Sequence, residues 1–227
     1  MKKSSILILI IICLVGCKKG SNETTITGEI KGLGTDTLYL YGMDELYDRI
    51  DTIYVENDKF SYTTSVDTIT SAYLLLKNRI EYPVFLDKGN KIKIKGDTIN
   101  LNFLTISGNI YNEEFTDFQK ALEDPADPSE KAGEETVDKR ITVEKANTAE
   151  EMAEEFILQH HSSYVSLYLL DKYFVQKETP DFSKIKKLVE VMTGVLQDKP
   201  YIERLNETIT QAEKSEIGKY APFFSLP

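Results

Sequence analysis

Thiols are almost missing from this chain: Cys13 and Cys17 are its only cysteines in 227 residues. No Cys-x-x-Cys pair exists, which excludes thiol–disulfide chemistry for the chain as it stands. Histidine is nearly as scarce. His160 and His161 are adjacent, and neighbours in a helix point about 100° apart, so they are poorly placed to share a metal ion. They read better as imidazoles at a helix C-terminus, where positive charge meets the dipole favourably. A Gly-rich phosphate loop, a Gly-x-Ser-x-Gly elbow, a His-Glu-x-x-His pair and an Asp-rich calcium loop are all absent. No internal repeat is visible. These absences point to no catalytic residues, no metal, no cofactor and no enzyme.

Acidic residues, by contrast, are abundant. The formal net charge is −10, and it becomes more negative if Lys2 and Lys3 leave with a leader. Such a chain repels phosphate backbones and anionic headgroups, so no nucleic-acid partner is expected. The pairs Glu113-Glu114, Glu134-Glu135, Glu150-Glu151 and Glu154-Glu155 read as solvated charge rather than as an acid/base couple.

The first residues have the three parts of an export signal. Lys2 and Lys3 precede an apolar core over 6–14, which ends at Gly16. About nine apolar residues reach roughly 14 Å as helix, half of a hydrocarbon core, so the segment cannot span a bilayer. Leu14-Val15-Gly16-Cys17 resembles the lipobox of bacterial lipoproteins. The resemblance implies a signal peptide over 1–16 and acylation of Cys17, which would make a lipid bilayer the first partner. Several acyl chains hold far better than one. Residues 17–23 then read as a lipidated tether. Lys18 and Lys19 after the cysteine favour a periplasm-facing position in the cell envelope.

From 24 to 108 the apolar period is two, broken by turns every eight to twelve residues. Strands are expected over 24–31, 37–41, 50–55, 59–64, 72–77, 82–86, 91–95 and 101–107. Glu56-Asn57-Asp58 is a hairpin signal and Asp87-Lys88-Gly89-Asn90 a second tight turn. About eight short strands predict an antiparallel sandwich or barrel-like domain, its Tyr-rich faces closing the core.

From 109 to 216 the period is near 3.6, and about five helices are expected, giving an α+β chain. Tyr111, Phe115, Phe118 and Leu122 mark the first, which stops before Pro125, and 124–135 reads as a loop. Thr148-Ala149-Glu150-Glu151 is a capping box opening the second, with Met152, Ala153, Phe156 and Ile157 as its stripe. Ser163 caps a third, apolar nearly all round over 164–174. Pro180 and Pro200 open the fourth and fifth at first-turn positions. Ile185, Leu188, Val189, Met192, Val195 and Leu196 face inward from the fourth. Tyr201, Leu205, Ile209 and Ala212 do so from the fifth, which Gly218 ends.

Ile26-Thr27-Gly28-Glu29-Ile30-Lys31-Gly32-Leu33, Asp58-Lys59-Phe60-Ser61-Tyr62 and Phe85-Leu86-Asp87-Lys88-Gly89-Asn90 together resemble a β-rich domain of unknown function. That domain stands at the N-terminus of many anchored thiol–disulfide oxidoreductases of Gram-negative envelopes. Ser163-Tyr164-Val165-Ser166 and its surroundings resemble the helical region that follows it there. Gly218-Lys219-Tyr220-Ala221-Pro222-Phe223-Phe224 is similar to the opening of thioredoxin-like domains. The sequence stops at Pro227, before any Cys-x-x-Cys, so 217–227 reads as the start of a truncated thioredoxin-like domain and no catalytic residue carries over. The resemblance implies a non-catalytic accessory region that positions a redox domain absent from this chain. The rival expectation is a stand-alone envelope lipoprotein binding a glycan, peptide or protein through loops 42–49 or 78–81.

Overall fold

The computed structural model describes residues 22–43, 46–123 and 138–215. The leader, Leu14, Val15, Gly16 and Cys17, the loop over 124–135 and the segment 217–227 lie outside the described residues, as does Gly218.

Eight strands form: β1 (Glu23–Lys31), β2 (Asp36–Gly42), β3 (Ile50–Glu56), β4 (Lys59–Ser65), β5 (Thr70–Leu75), β6 (Glu81–Leu86), β7 (Lys91–Asp97) and β8 (Thr105–Ser107). Their chemistry is local. Asn57 and Asp58 take φ of 52° and 68° in the β3–β4 turn, a geometry that Asn and Asp tolerate. Alternation then sends Leu38, Leu40, Ile53, Val55, Ile92 and Ile94 inward, all buried. Gly28 is the inward position where a side chain would run into the Phe60 ring.

All eight strands belong to one sheet, in the order β6-β5-β2-β3-β4-β1-β7-β8. One ladder departs from the antiparallel expectation: β1 pairs with β7 in parallel, Ile26 opposite Ile92. The Asp87–Asn90 turn is not a hairpin either, since β6 and β7 do not pair and stand six strand intervals apart. Six intervals of a flat sheet cover about 29 Å, whereas the five steps from Leu86 to Lys91 reach at most about 18 Å. The sheet therefore curls, in the barrel-like form rather than the sandwich.

Helix α1 (Ile110–Glu123) closes the gap between the edge strands. Asn112 accepts from the Phe85 amide (3.0 Å) and donates to the Phe85 carbonyl (2.8 Å) on β6. One turn later, Thr116 accepts from Ile106 N–H (3.0 Å) and donates to its carbonyl (2.9 Å) on β8. Tyr82 reaches across directly, donating to the Leu104 carbonyl at 2.7 Å and accepting from its amide at 3.1 Å. Two sheet edges that would otherwise invite foreign strands are thereby satisfied.

Four more helices follow: α2 (Asp138–Gln159), α3 (Tyr164–Leu170), α4 (Phe182–Val191) and α5 (Pro200–Ser215). The α+β expectation and Pro200 as the start of the last helix hold. Ser163 caps α3, accepting from Val165 N–H at 3.2 Å. Three local readings of the helices are corrected. The capping box does not begin a helix, because α2 starts at Asp138 and no Gly or Pro interrupts 138–159, leaving Thr148 inside. Pro180 lies outside α4, whose cap is Asp181, accepting from Lys184 N–H at 3.0 Å. Val195 is 55% exposed because α4 ends at Val191 and a separate turn, Gly194–Leu196, swings it outward. The strand expected over 101–107 shortens to Thr105–Ser107, with Leu101 and Leu104 buried in the loop before it.

Every residue of α3 is buried. Phe115 links the layers, its ring edge-on to Tyr82 (5.7 Å) and Phe85 (6.3 Å) of β6 and to Tyr168 (5.2 Å) of α3. Beyond α3 the coil widens into a π-turn, Asp171–Val175, in which Gln176 N–H donates to the Asp171 carbonyl at 2.9 Å.

Candidate ligand cleft

The tyrosines do not all close the core as expected. Leucines fill the inside of β2, and the alternation puts Tyr39 and Tyr41 on its outer face. There the register sets Tyr41 opposite Ile50 and Tyr73, and Thr37 opposite Tyr54. Tyr54 and Ile50 are each 73% exposed and Tyr39 is 42% exposed. The helices cover only the β5 end of this face, and where they leave it a cleft opens.

The cleft holds about 380 Å³, at the lower end of the range for small-molecule sites, about 300–1,000 Å³. Ser71 and Tyr73 of β5 form one wall and Leu167 and Tyr168 of α3 the back. Tyr201, Arg204 and Thr208, one turn apart on α5, form the opposite wall. Asp171 and Gln176 enter because the π-turn begins at one and is closed by the other, a local widening that often marks functional positions. The Asp171 carboxylate accepts from Tyr201 OH (2.6 Å) and from the Gln176 side-chain amide (2.6 Å).

Burial pushes the phenols of Tyr73, Tyr168 and Tyr201 well above the ordinary tyrosine range, and the Asp171 charge adds to this in each. They remain neutral at any physiological pH. The rings run in sequence, Tyr168 to Tyr73 at 6.4 Å and Tyr73 to Tyr41 at 5.7 Å, leading out to the exposed tyrosines. The cleft thus offers neutral hydroxyls, one carboxylate, one guanidinium and aromatic faces, equipment for binding.

The residues singled out in the sequence lie elsewhere. His160 stacks on Phe156 (4.0 Å), and its Nδ1 lies 3.0 Å from the Phe156 carbonyl; a His161 ring nitrogen lies 2.6 Å from that of Leu158. Both sit just beyond α2, as their reading anticipated. The paired acids are dispersed: Glu114 accepts from Ser163 Oγ, Glu154 faces Lys184 and Glu150 faces Lys177 and Lys184. Among the described residues no three His, Cys, Asp or Glu side chains are grouped to hold a metal, and no helix is long and apolar enough to cross a membrane.

Of the loops proposed as binding elements, 42–49 contributes Met43 to the cleft and 78–81 none of its lining. The site comes instead from Tyr73, Asp171 and Tyr201, which sequence reasoning missed. Their one signal was the charged pair Asp171-Lys172 within the largely apolar run over 164–174.

No curated protein matches this chain. Residues 24–115 match the family model described as a domain of unknown function (DUF4369), a stretch that takes in all eight strands and α1 as far as Phe115, including Asn112 of the closure.

Proposed function

We propose that this chain is a non-catalytic, lipid-anchored region that serves to hold a thioredoxin-like thiol–disulfide domain away from a bacterial envelope membrane. One observation carries the reading, the order of features along the chain. An apolar leader ending in Leu14-Val15-Gly16-Cys17 stands six residues before β1, and the stretch similar to the opening of thioredoxin-like domains follows α5 directly. The match of 24–115 to the domain of unknown function supports the β-rich part of the resemblance. Partner and location in this reading are the bilayer, through acylated Cys17, and the periplasmic side of the envelope. The test is intact mass of the detergent-extracted protein: an acylated N-terminal Cys17 is expected, and Cys17→Ala should leave the membrane fraction. The isolated chain should not turn over insulin disulfides; turnover would end the non-catalytic reading.

A second reading is favoured by a different observation. The cleft between sheet and helices suits the rival reading, a stand-alone envelope lipoprotein that binds a glycan, peptide or protein partner.

A further inference from the structure

We propose that the cleft is the closed end of a binding groove for a neutral oligosaccharide, continuing along the outer face of β2 and β3; this rests on the binding reading of the cleft. The case begins with the balance of charge. The lining carries one carboxylate, Asp171, and one guanidinium, Arg204. An anionic ligand would meet Asp171 as it desolvated, a cationic one would meet Arg204, and burying either unmatched is costly. A polyhydroxylated ligand meets neither penalty, because each hydroxyl both donates and accepts.

The hydrogen-bonding groups fit such a ligand. An ionised carboxylate offers about four acceptor positions, and Tyr201 and Gln176 occupy two of those on Asp171. These two bonds also fix the carboxylate in place, so it need not be ordered when ligand arrives. Ser71 and Thr208 add hydroxyls on opposite walls. The apolar surfaces fit as well: Tyr73 and Tyr201, both part-buried in the lining, offer rings on which the C–H face of a sugar can lie, as aromatic faces accept weakly polar hydrogens.

Length of ligand follows from the rings outside. The series Tyr168, Tyr73, Tyr41 leads from the cleft onto β2, where Tyr39 and Tyr54 stand exposed. Tyr39 and Tyr54 share that face with Thr37 and Thr52, which stand opposite them in the ladder. A chain of sugars with one end in the cleft would lie over them.

The test uses the detergent-solubilised full chain with maltohexaose, cellohexaose, mannohexaose and xylohexaose as neutral probes, and hexalysine and hexagalacturonate as charged ones. Tyrosine emission is a clean readout, since the chain has 13 tyrosines and no tryptophan. One neutral hexasaccharide should saturate. Asp171→Asn and, separately, Tyr201→Phe should each weaken it about tenfold, roughly the effect of one lost charged hydrogen bond, with unchanged circular dichroism. Tyr54→Ala should weaken the hexasaccharide but not its disaccharide. Saturation by a charged probe alone overturns the neutral-sugar assignment and leaves the binding reading standing. No saturation by any probe at about 10 mM overturns both, and binding indifferent to Asp171→Asn and Tyr201→Phe removes this cleft as its place.

Discussion

The closure of the sheet and the outer surfaces of the later helices use polar side chains in opposite ways. At the closure they are buried and complete the backbone: Asn112 and Thr116 are 1% and 5% exposed, and each bonds both groups of one edge residue. Across the helices they lie at the surface in ion pairs, Lys177–Glu150, Lys184–Glu154 and Lys186–Glu213. The reason is where each element leaves its backbone unpaired. A helix satisfies its own amides and carbonyls except at its ends, so it needs only caps such as Ser163 and Asp181. A sheet that does not close strand to strand leaves two whole edges open, and something must cover them.

That contrast can be broken at its strongest point. Asn112→Ala strands the buried amide of Phe85, whose carbonyl still accepts from the Asn109 side chain at 2.8 Å, and should cost about 2 kcal/mol, read as a lower urea midpoint with unchanged slope. A loss within the range of ordinary surface substitutions would mean that Asn112 does not hold the β6 edge. A helix cap should matter less. Ser163→Ala removes the bond to Val165 N–H and is expected to cost about 1 kcal/mol, by the same measurement.

The surface ion pairs should matter least. The hydrogen bond from Lys177, aided by Lys184, holds the Glu150 carboxyl below its ordinary range. A depressed folded pKa means a contribution fully present above the unfolded value and lost as pH falls through the folded one. Glu150→Gln should therefore remove a small part of the acid dependence of stability below the ordinary carboxylate range. For a partly exposed pair this is less than about 0.5 kcal/mol. A larger change would place this pair alongside the buried groups of the sheet.

The sequence made most elements legible because their signals are local. The alternation of Ile92 and Ile94 with lysines, the Asn57-Asp58 turn and the spacing of Tyr111, Phe115, Phe118 and Leu122 each depend on a few neighbouring residues. Failures came where a local signal met a stronger neighbour. At Thr148 a valid capping pattern lost to an uninterrupted helical stretch on its N-terminal side, and at Pro180 a permissive proline lost to the adjacent Asp181, whose side chain can accept.

By itself, then, the sequence determined the strand and helix content, the inward faces and most turns, since period and turn chemistry are properties of adjacent residues. Tertiary structure alone decided that β1 pairs with β7 in parallel, that Asn112 and Thr116 serve as edge partners, and that Asp171 meets Tyr201 beside Tyr73. Apart from Thr116 and Ile106, 10 positions apart, those pairings join distant residues, 27 positions for Asn112 and Phe85, 30 for Asp171 and Tyr201 and 66 for Ile26 and Ile92, and all depend on how a curled sheet packs its helices. No short window of residues carries that information.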